Sequence, residues 1–444
     1  MELKRISVVG LGKLGLPLAA CFAWKGLPTI GVDVDSRKIQ AVNQGIATSY
    51  EPGLQDMMTT LLGRLTATED YENAVMNSDV TFILVPTPSD KKNNFSLQYV
   101  LETVGHIGDV LRKKSQYHLV VLTSTVMPGS MQKEVKPLLE SRCGKRCGED
   151  FGLCYNPEFV ALGNVIHDLL NPDFLLIGES DGHSGSVLSD LYKCVCENNP
   201  PVARMNFVNA ELTKLALNSY VTTKISIANT LARICECLPG ADVNVVTSAL
   251  GLDRRIGGKY LKGAIGYGGP CFPRDNLAMS ALARSLGILA SLAETTDAFN
   301  RQQLRWLAEL VKSYLPHDGK VGILGLAYKP ESDVVEESPG ILLTQVLING
   351  GIPVIVYDPK GMENARSVLS KSVIFATSAE ECIQKTDVVV VTTPWDEFKQ
   401  LQPKEFSRPN QARVVIDCWR ILERIKQENN IIYVPLGVGI LRNK

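Results

Sequence analysis

Residues 5–35 read RISVVGLGKLGLPLAACFAWKGLPTIGVDVD. A short apolar run ends in glycines, a second run has the length of a helix, and a third closes on Asp33. The outer runs have the size and β-branched content of buried strands, and the middle one reads as a helix. Gly10, Gly12 and Gly15 form a G-x-G-x-x-G turn where the first strand passes into the helix. Strand, glycine turn, helix, strand and then an acid about 20 residues on is the dinucleotide-binding βαβ unit. The glycines permit a tight turn and close backbone approach to a pyrophosphate, whose charge meets the N-terminus of the helix. Lys13 and Leu14 lie inside this turn and are expected beside the same ligand. Asp33 is expected to accept hydrogen bonds from the adenosine ribose, and a carboxylate there disfavours a 2′-phosphate, which predicts NAD rather than NADP.

Outward from this unit, DVTFILVPTP (79–88) and HLVVLTSTVMPG (118–129) read as further buried strands of a parallel sheet. Ligands in such sheets sit beyond the carboxyl ends of the strands, so Pro86, Thr87, Ser124 and Thr125 are candidates for the nicotinamide end. GLCYNPEF (152–159) adds a strand ending in Asn156-Pro157-Glu158. From Asn206 the apolar spacing becomes helical. Lys214 and Asn218, four apart, project from one face of that helix. Residues 319–359 loosely repeat the opening unit without its G-x-G-x-x-G, and DVVVVTTPW (387–395) and ARVVIDCW (412–419) continue the pattern. The expected fold is α/β: two doubly wound Rossmann-like domains, residues 1–204 and 316–444, joined by a helical segment, residues 205–315. Two such domains are expected to face one cleft, one holding the dinucleotide and the other a second ligand.

Composition sets outer bounds. The 444 residues are 45% hydrophobic and 21% charged, with net charge −1. Such a chain buries cores and has no broad electrostatic reason to bind nucleic acid or an anionic membrane. No apolar run approaches the ~20 residues that span a bilayer, and MELKRISVVGLGKLG lacks the pattern of a secretory signal, so a cytoplasmic protein is expected. Eleven cysteines, an odd number, are expected to be mostly thiols. Their spacings match no common zinc signature, and no metal is expected.

One cysteine stands apart. GYGGPCFPRD (266–275) surrounds Cys271 with three glycines and two prolines. A thiol there either fills a gap, as small apolar cysteines do, or is a nucleophile displayed on a loop.

Read together, GLGKLGLPLA, VPTPS, STVMPGS, NPEF, ELTKLALNS, RIGGKYLKGAIGYGGPCFPRD and GLAYKPESD resemble, in order and spacing, the UDP-glucose/GDP-mannose dehydrogenase family, most nearly its UDP-glucose 6-dehydrogenase branch. The likeness covers nearly the whole chain. It implies an NAD-dependent four-electron oxidation of a nucleotide sugar's primary alcohol to a carboxylate. Cys271 would hold the intermediate as a thiohemiacetal and then a thioester. By the same resemblance Lys214 stabilises charge on the substrate oxygen, Asp275 orients or deprotonates water, and Asn218 supports that network. Thr125 positions water, and Glu158 acts as acid or base. Phe159, Tyr260, Lys262 and Gly268 match substrate-binding positions. Lys329 would contact substrate or cofactor across the cleft. Arg255 matches an arginine that reaches a neighbouring subunit's sugar site, which implies a homodimer or larger assembly.

Some positions depart from the family pattern. Leu162 replaces a second glutamate, Phe174 an arginine, and Val334 and Glu336 an acid and an arginine. Arg420 is a loose candidate for a sugar contact. These changes point to an altered sugar pocket with intact chemistry. UDP-glucose is the first expected substrate. GDP-mannose or a UDP-N-acetylhexosamine is the alternative, and a catalytically idle NAD- and sugar-binding scaffold is the alternative of another kind.

Overall fold

The computed structural model describes residues 4–408 and 412–439. The first three residues of the stretch read for a signal lie outside them. The chain forms two compact units, Met1–Ala216 and Leu217–Lys444. Their boundary falls inside one unbroken helix, Phe207–Cys237.

The first unit is built on an eight-stranded sheet: β1 (Ile6–Val9), β2 (Thr29–Val32), β3 (Leu65–Thr68), β4 (Val80–Ile83), β5 (Leu119–Leu122), β6 (Gly152–Tyr155), β7 (Leu175–Glu179) and β8 (Val202–Met205). Their order is β3-β2-β1-β4-β5-β6-β7-β8. Chain order reverses at β1, where Ile6 lies opposite both Thr29 and Val80, which makes the β1/β4 edge the switch point. The parallel pattern expected from sequence is interrupted once, where β7 runs antiparallel to β6. Strands β1, β4, β5 and β6 are wholly buried, with apolar side chains packed on both faces. The expected strands at 79–88 and 118–129 are only four residues long, and their polar and proline-containing ends form the rim.

The second unit carries helices Val243–Gly251, Phe272–Ser285 and Ser291–Tyr314 and a six-stranded sheet. Its strands are β9 (Val321–Leu324), β10 (Val354–Tyr357), β11 (Ile374–Phe375), β12 (Val388–Val391), β13 (Arg413–Asp417) and β14 (Ile431–Pro435). The order β11-β10-β9-β12-β13-β14 repeats the topology of the first six strands of unit one, and every pairing is parallel.

The repeat extends to single residues. A side chain on Gly15 would overlap the carbonyl oxygen of Gly10, and one on Gly340 would overlap that of Gly325. In both units a glycine-bearing helix therefore crosses its first strand at backbone contact. Asp79 accepts from the Arg5 amide at 2.9 Å, and Asp387 accepts from the Lys320 amide at 2.8 Å. The buried Lys114 ammonium donates to the carbonyls of Val75 (2.6 Å) and Ser78, and the buried Arg413 guanidinium donates to those of Ile383 and Thr386. Each cation closes the C-terminus of the helix that leads into the fourth strand, where unpaired carbonyls carry partial negative charge.

Candidate active site

In unit one the glycine turn has the shape a pyrophosphate requires. Gly10 has φ +95°, a conformation open to glycine, and a Cβ there would come within 2.6 Å of the Leu84 carbonyl. Around Gly12 a Cβ would meet nothing within 4 Å, so open space lies against the backbone. The following helix, Gly15–Trp24, has no acidic residue in its first turn. Asp33 is buried at the end of β2. Its Oδ2 accepts from the Leu11 amide at 2.8 Å and from Lys38 Nζ at 3.2 Å, and its Oδ1 accepts from the Asp35 amide at 2.9 Å. The carboxylate thus ties the glycine turn to β2. Lys13 is half-buried and Leu14 exposed at the mouth of the turn. These residues fit a dinucleotide, with the turn for its pyrophosphate and Asp33 beyond it.

The rim at β4 and β5 gathers the next group. Thr87 Oγ1 donates to the Thr125 carbonyl at 2.8 Å, and Ser124 Oγ donates to that of Val85 at 2.6 Å. Pro86 stands exposed between them. Glu211, fully buried, accepts from the Gly129 amide at 2.6 Å and the Met131 amide at 2.8 Å, so the loop after β5 is held in place by the long helix.

Glu158 and Lys214 meet in the same unit. Lys214 is buried, donates to the Glu158 carbonyl at 2.5 Å, and lies 4.7 Å from the centroid of the Phe159 ring. Glu158 lies outside any helix or strand, and the next helix begins only at Val165. Burial pushes its carboxyl up to about 7, against the opposing pull of the Lys214 charge and a hydrogen bond from Tyr192. The Tyr192 hydroxyl lies 2.5 Å from Asn156 Oδ1 and 3.3 Å from Glu158 Oε1. Tyr192 carries no local signal in the sequence; only the fold brings its helix, Gly182–Val195, to this place. Phe174 lies beside Phe159 with tilted rings and centroids 4.9 Å apart, and the half-buried Leu162 packs against the edge of the apolar core.

In unit two Cys271 is exposed at the N-cap of the 14-residue helix Phe272–Ser285. A helix N-terminus favours the thiolate. Asp275, one turn in, is buried, its amide donates to the Cys271 carbonyl at 2.8 Å, and its Oδ2 accepts from Asn218 Nδ2 at 2.6 Å. Asn276 Nδ2 bonds Thr222 Oγ1 at 2.9 Å and the Tyr267 hydroxyl at 3.0 Å. Gly268 packs so tightly on the backbone of Glu337 that a side chain there would overlap its carbonyl oxygen. Tyr260 has φ +64° and faces the Phe272 ring at 6.3 Å. Lys262 is exposed, and Lys329 is half-buried beyond β9. The Arg255 side chain is 88% exposed and pairs with Asp253 at 2.6 Å. Arg420 is held by Asp242 at 2.6 Å and Glu423 at 2.9 Å, and so is engaged in structural ion pairs. Val334 and Glu336 contribute main-chain carbonyls, to the Tyr328 amide at 3.0 Å and the Gly269 amide at 3.1 Å. Among the described residues no group of three or more His, Cys, Asp or Glu side chains is placed to hold a metal, and no helix is long and apolar enough to cross a membrane.

A glycine turn with open space at Gly12, a buried Asp33 at the end of β2 and the β1/β4 switch point mark the first unit as a dinucleotide-binding domain. The chain belongs to the UDP-glucose/GDP-mannose dehydrogenase family: its NAD binding domain matches residues 4–196, its central domain 208–302 and its UDP binding domain 322–424. Among curated relatives, the UDP-glucose 6-dehydrogenase AglM of Haloferax volcanii is 36% identical over 94% of this chain and 97% of its own. The GDP-mannose 6-dehydrogenase of Pseudomonas putida is 33% identical over 89% of this chain and 92% of its own. Among solved structures, a UDP-glucose dehydrogenase from the archaeon Pyrobaculum islandicum superposes with a TM-score of 0.89 at 33% identity, covering 99% of this chain and 98% of that one. The protein is an NAD-dependent nucleotide-sugar 6-dehydrogenase.

Proposed function

We propose that the substrate is UDP-glucose and that Cys271 carries the sugar between two oxidations, so that UDP-glucose, two NAD⁺ and water give UDP-glucuronate, two NADH and three protons. The observation that carries this reading is the Cys271–Asp275 pair, an exposed thiol at a helix N-terminus with a buried carboxylate one turn behind it, bonded to Asn218. NAD, when bound at the Gly10–Gly15 turn and Asp33, accepts the hydrides. Thr125 and Ser124 orient the reacting end, and Lys214 offers a cation to the oxygen as charge develops on it. Lys214 and Asn218 lie four residues apart on one helix, a spacing that turns the cation and the amide to one face of it. Cys271 adds to the aldehyde carbon. After the second oxidation Asp275 and Asn218 hold the water that releases the acid, and Glu158, titrating near 7, takes or returns protons. Tyr260, Lys262, Gly268 and Lys329 bind the nucleotide end, Phe159 lines the sugar, and Arg255 serves a neighbouring subunit of a homodimer.

UDP-glucose is favoured over GDP-mannose by the 36% identity to AglM and by the 0.89 structural match to a UDP-glucose dehydrogenase. The test is NADH formed per limiting sugar over UDP-glucose, UDP-galactose, GDP-mannose and two UDP-N-acetylhexosamines. Two NADH per UDP-glucose are expected, with turnover more than ~10³-fold lower in Cys271→Ser. Two NADH from a different sugar would move the substrate and leave the chemistry. Full activity of Cys271→Ser would end the covalent route, and binding without turnover on any sugar would mark an idle scaffold.

A further inference from the structure

The loop that displays Cys271 runs through residues 263–269, all buried and outside any helix or strand. Buried peptide groups in such a segment need partners, because each unpaired one is costly. Two asparagine side chains supply them. Asn229, on the long helix, accepts from the Ala264 amide at 2.9 Å through Oδ1 and donates to the Ile265 carbonyl at 3.2 Å through Nδ2. Asn300, on helix Ser291–Tyr314, accepts from the Tyr267 amide at 2.8 Å and donates to the Tyr267 carbonyl at 2.9 Å. Each amide thus reads both polar groups of the loop as a neighbouring strand would. Both are buried, and a side chain on Gly266 would overlap Asn300 Oδ1. The glycine therefore keeps the space that the Asn300 clamp occupies. On its far side the loop is tied to the segment before helix Pro339–Asn349, where the Gly269 amide donates to the Glu336 carbonyl at 3.1 Å.

We propose that Asn300 is a positioning residue for the Cys271 nucleophile, with Asn229 as its second anchor. The clamp at Tyr267 is four residues before the thiol, and the Tyr267 hydroxyl is held in turn by Asn276, the neighbour of Asp275. Fixing Tyr267 therefore fixes the approach of the chain to the helix N-terminus on which the thiol stands. This inference rests on the covalent route above. There the Cys271 thiol gives up its proton, its sulfur bonds the aldehyde carbon as the carbonyl π bond opens, and the aldehyde oxygen takes up a proton. A thiol displaced by an ångström captures the aldehyde poorly, and aldehyde that leaves has given up only one hydride.

The experiment compares wild type, Asn300→Ala and Gly266→Ala, which disturbs the same contact from the loop side. Three readouts are taken: kcat and KM with UDP-glucose, NADH per limiting sugar, and the pH dependence of Cys271 alkylation by iodoacetamide. Both variants should lose at least about tenfold in kcat, approaching the ~10²-fold expected for a small misplacement. KM should stay within about threefold. NADH per sugar should fall from two toward one, with free aldehyde trapped by hydroxylamine, and the alkylation midpoint should move to higher pH. If Asn300→Ala does not fold, Asn300→Asp keeps the acceptor for the Tyr267 amide, loses the donor, and should show the same changes in smaller measure. Variants with lower Tm but unchanged kcat, stoichiometry and alkylation profile would overturn the proposal and leave Asn300 a purely structural clamp. If wild type itself yields no NADH from UDP-glucose while the alkylation profiles still separate, the substrate reading fails and the positioning role stands.

Discussion

Glu158 shows how burial gives a common residue an uncommon property. Its carboxyl is surrounded by protein, and the energy of keeping it neutral outweighs the attraction of Lys214 and the hydrogen bond from Tyr192, which leaves it near 7 rather than 4.5. Used as a base, it should give kcat/KM a limb that falls as pH drops below about 7, and Glu158→Gln should remove that limb in a pH–rate profile. Tyr192→Phe deletes an interaction that favours the charged form, so the limb should move to higher pH. The same group affects stability. Its folded value lies above its unfolded one, so the native chain holds this proton more tightly. The contribution to stability is full below about 4.5 and is lost as pH rises through 7. Thermal unfolding of Glu158→Gln should therefore gain on wild type at pH 8 relative to pH 5.

At the scale of elements, buried carboxylates pin the loops that bear the site. Glu211 satisfies two amides at the start of the π-helical turn Met131–Val135, and Glu51 does the same at helix Val165–Leu170, accepting from the Gly163 and Val165 amides at 2.7 Å each. Such ends have amides without intrahelical partners. Removing a buried acceptor leaves its donors desolvated at about 1–3 kcal/mol each. Glu211→Ala should thus lose roughly 2–6 kcal/mol, read as a lower urea midpoint at unchanged m. If enough protein folds for titration, NAD affinity should fall as well, because Ser124 and Thr125 lie on the loop that Glu211 holds. Gly340→Ala should act through the helix–strand crossing, since the new methyl group would overlap the Gly325 carbonyl; a stability equal to wild type would contradict the backbone contact.

For the whole molecule, the long helix leaves Tyr220, Ile227 and Ile234 exposed at 63%, 50% and 49%. These large apolar groups recur every seven residues along one helix, a spacing that keeps them near one face. That face supports the proposed homodimer. Light scattering should give twice the 48.5 kDa chain mass at micromolar concentration. Ile227→Glu combined with Ile234→Glu should give monomer. A wild-type monomer would refute the dimer and with it the role proposed for Arg255.

The opening strand–turn–helix–strand unit, the order of the site motifs and the helix carrying Lys214 and Asn218 could all be read from residues alone. Each rests on local rules: φ freedom at glycine, alternation of apolar runs, and the pitch of a helix. The repeat in the second unit was visible only faintly. Its paired glycines are Gly325 and Gly340, fifteen positions apart with a long loop between, where Gly10 and Gly15 are close enough to form a motif. The partners of Leu162 and Phe174 are likewise set by the fold: Leu162, half-buried, packs against the edge of the apolar core, and Phe174 lies beside Phe159, because a side chain's partners come from the fold and not from its neighbours in sequence. Tyr192 beside Glu158 and Asn300 beside Tyr267 stand 34 and 33 residues from what they hold. Residue types and spacings determined the family of folds and the chemistry at hand. Which distant side chains raise, clamp and orient those groups was decided only when tertiary packing buried polar atoms that then required partners.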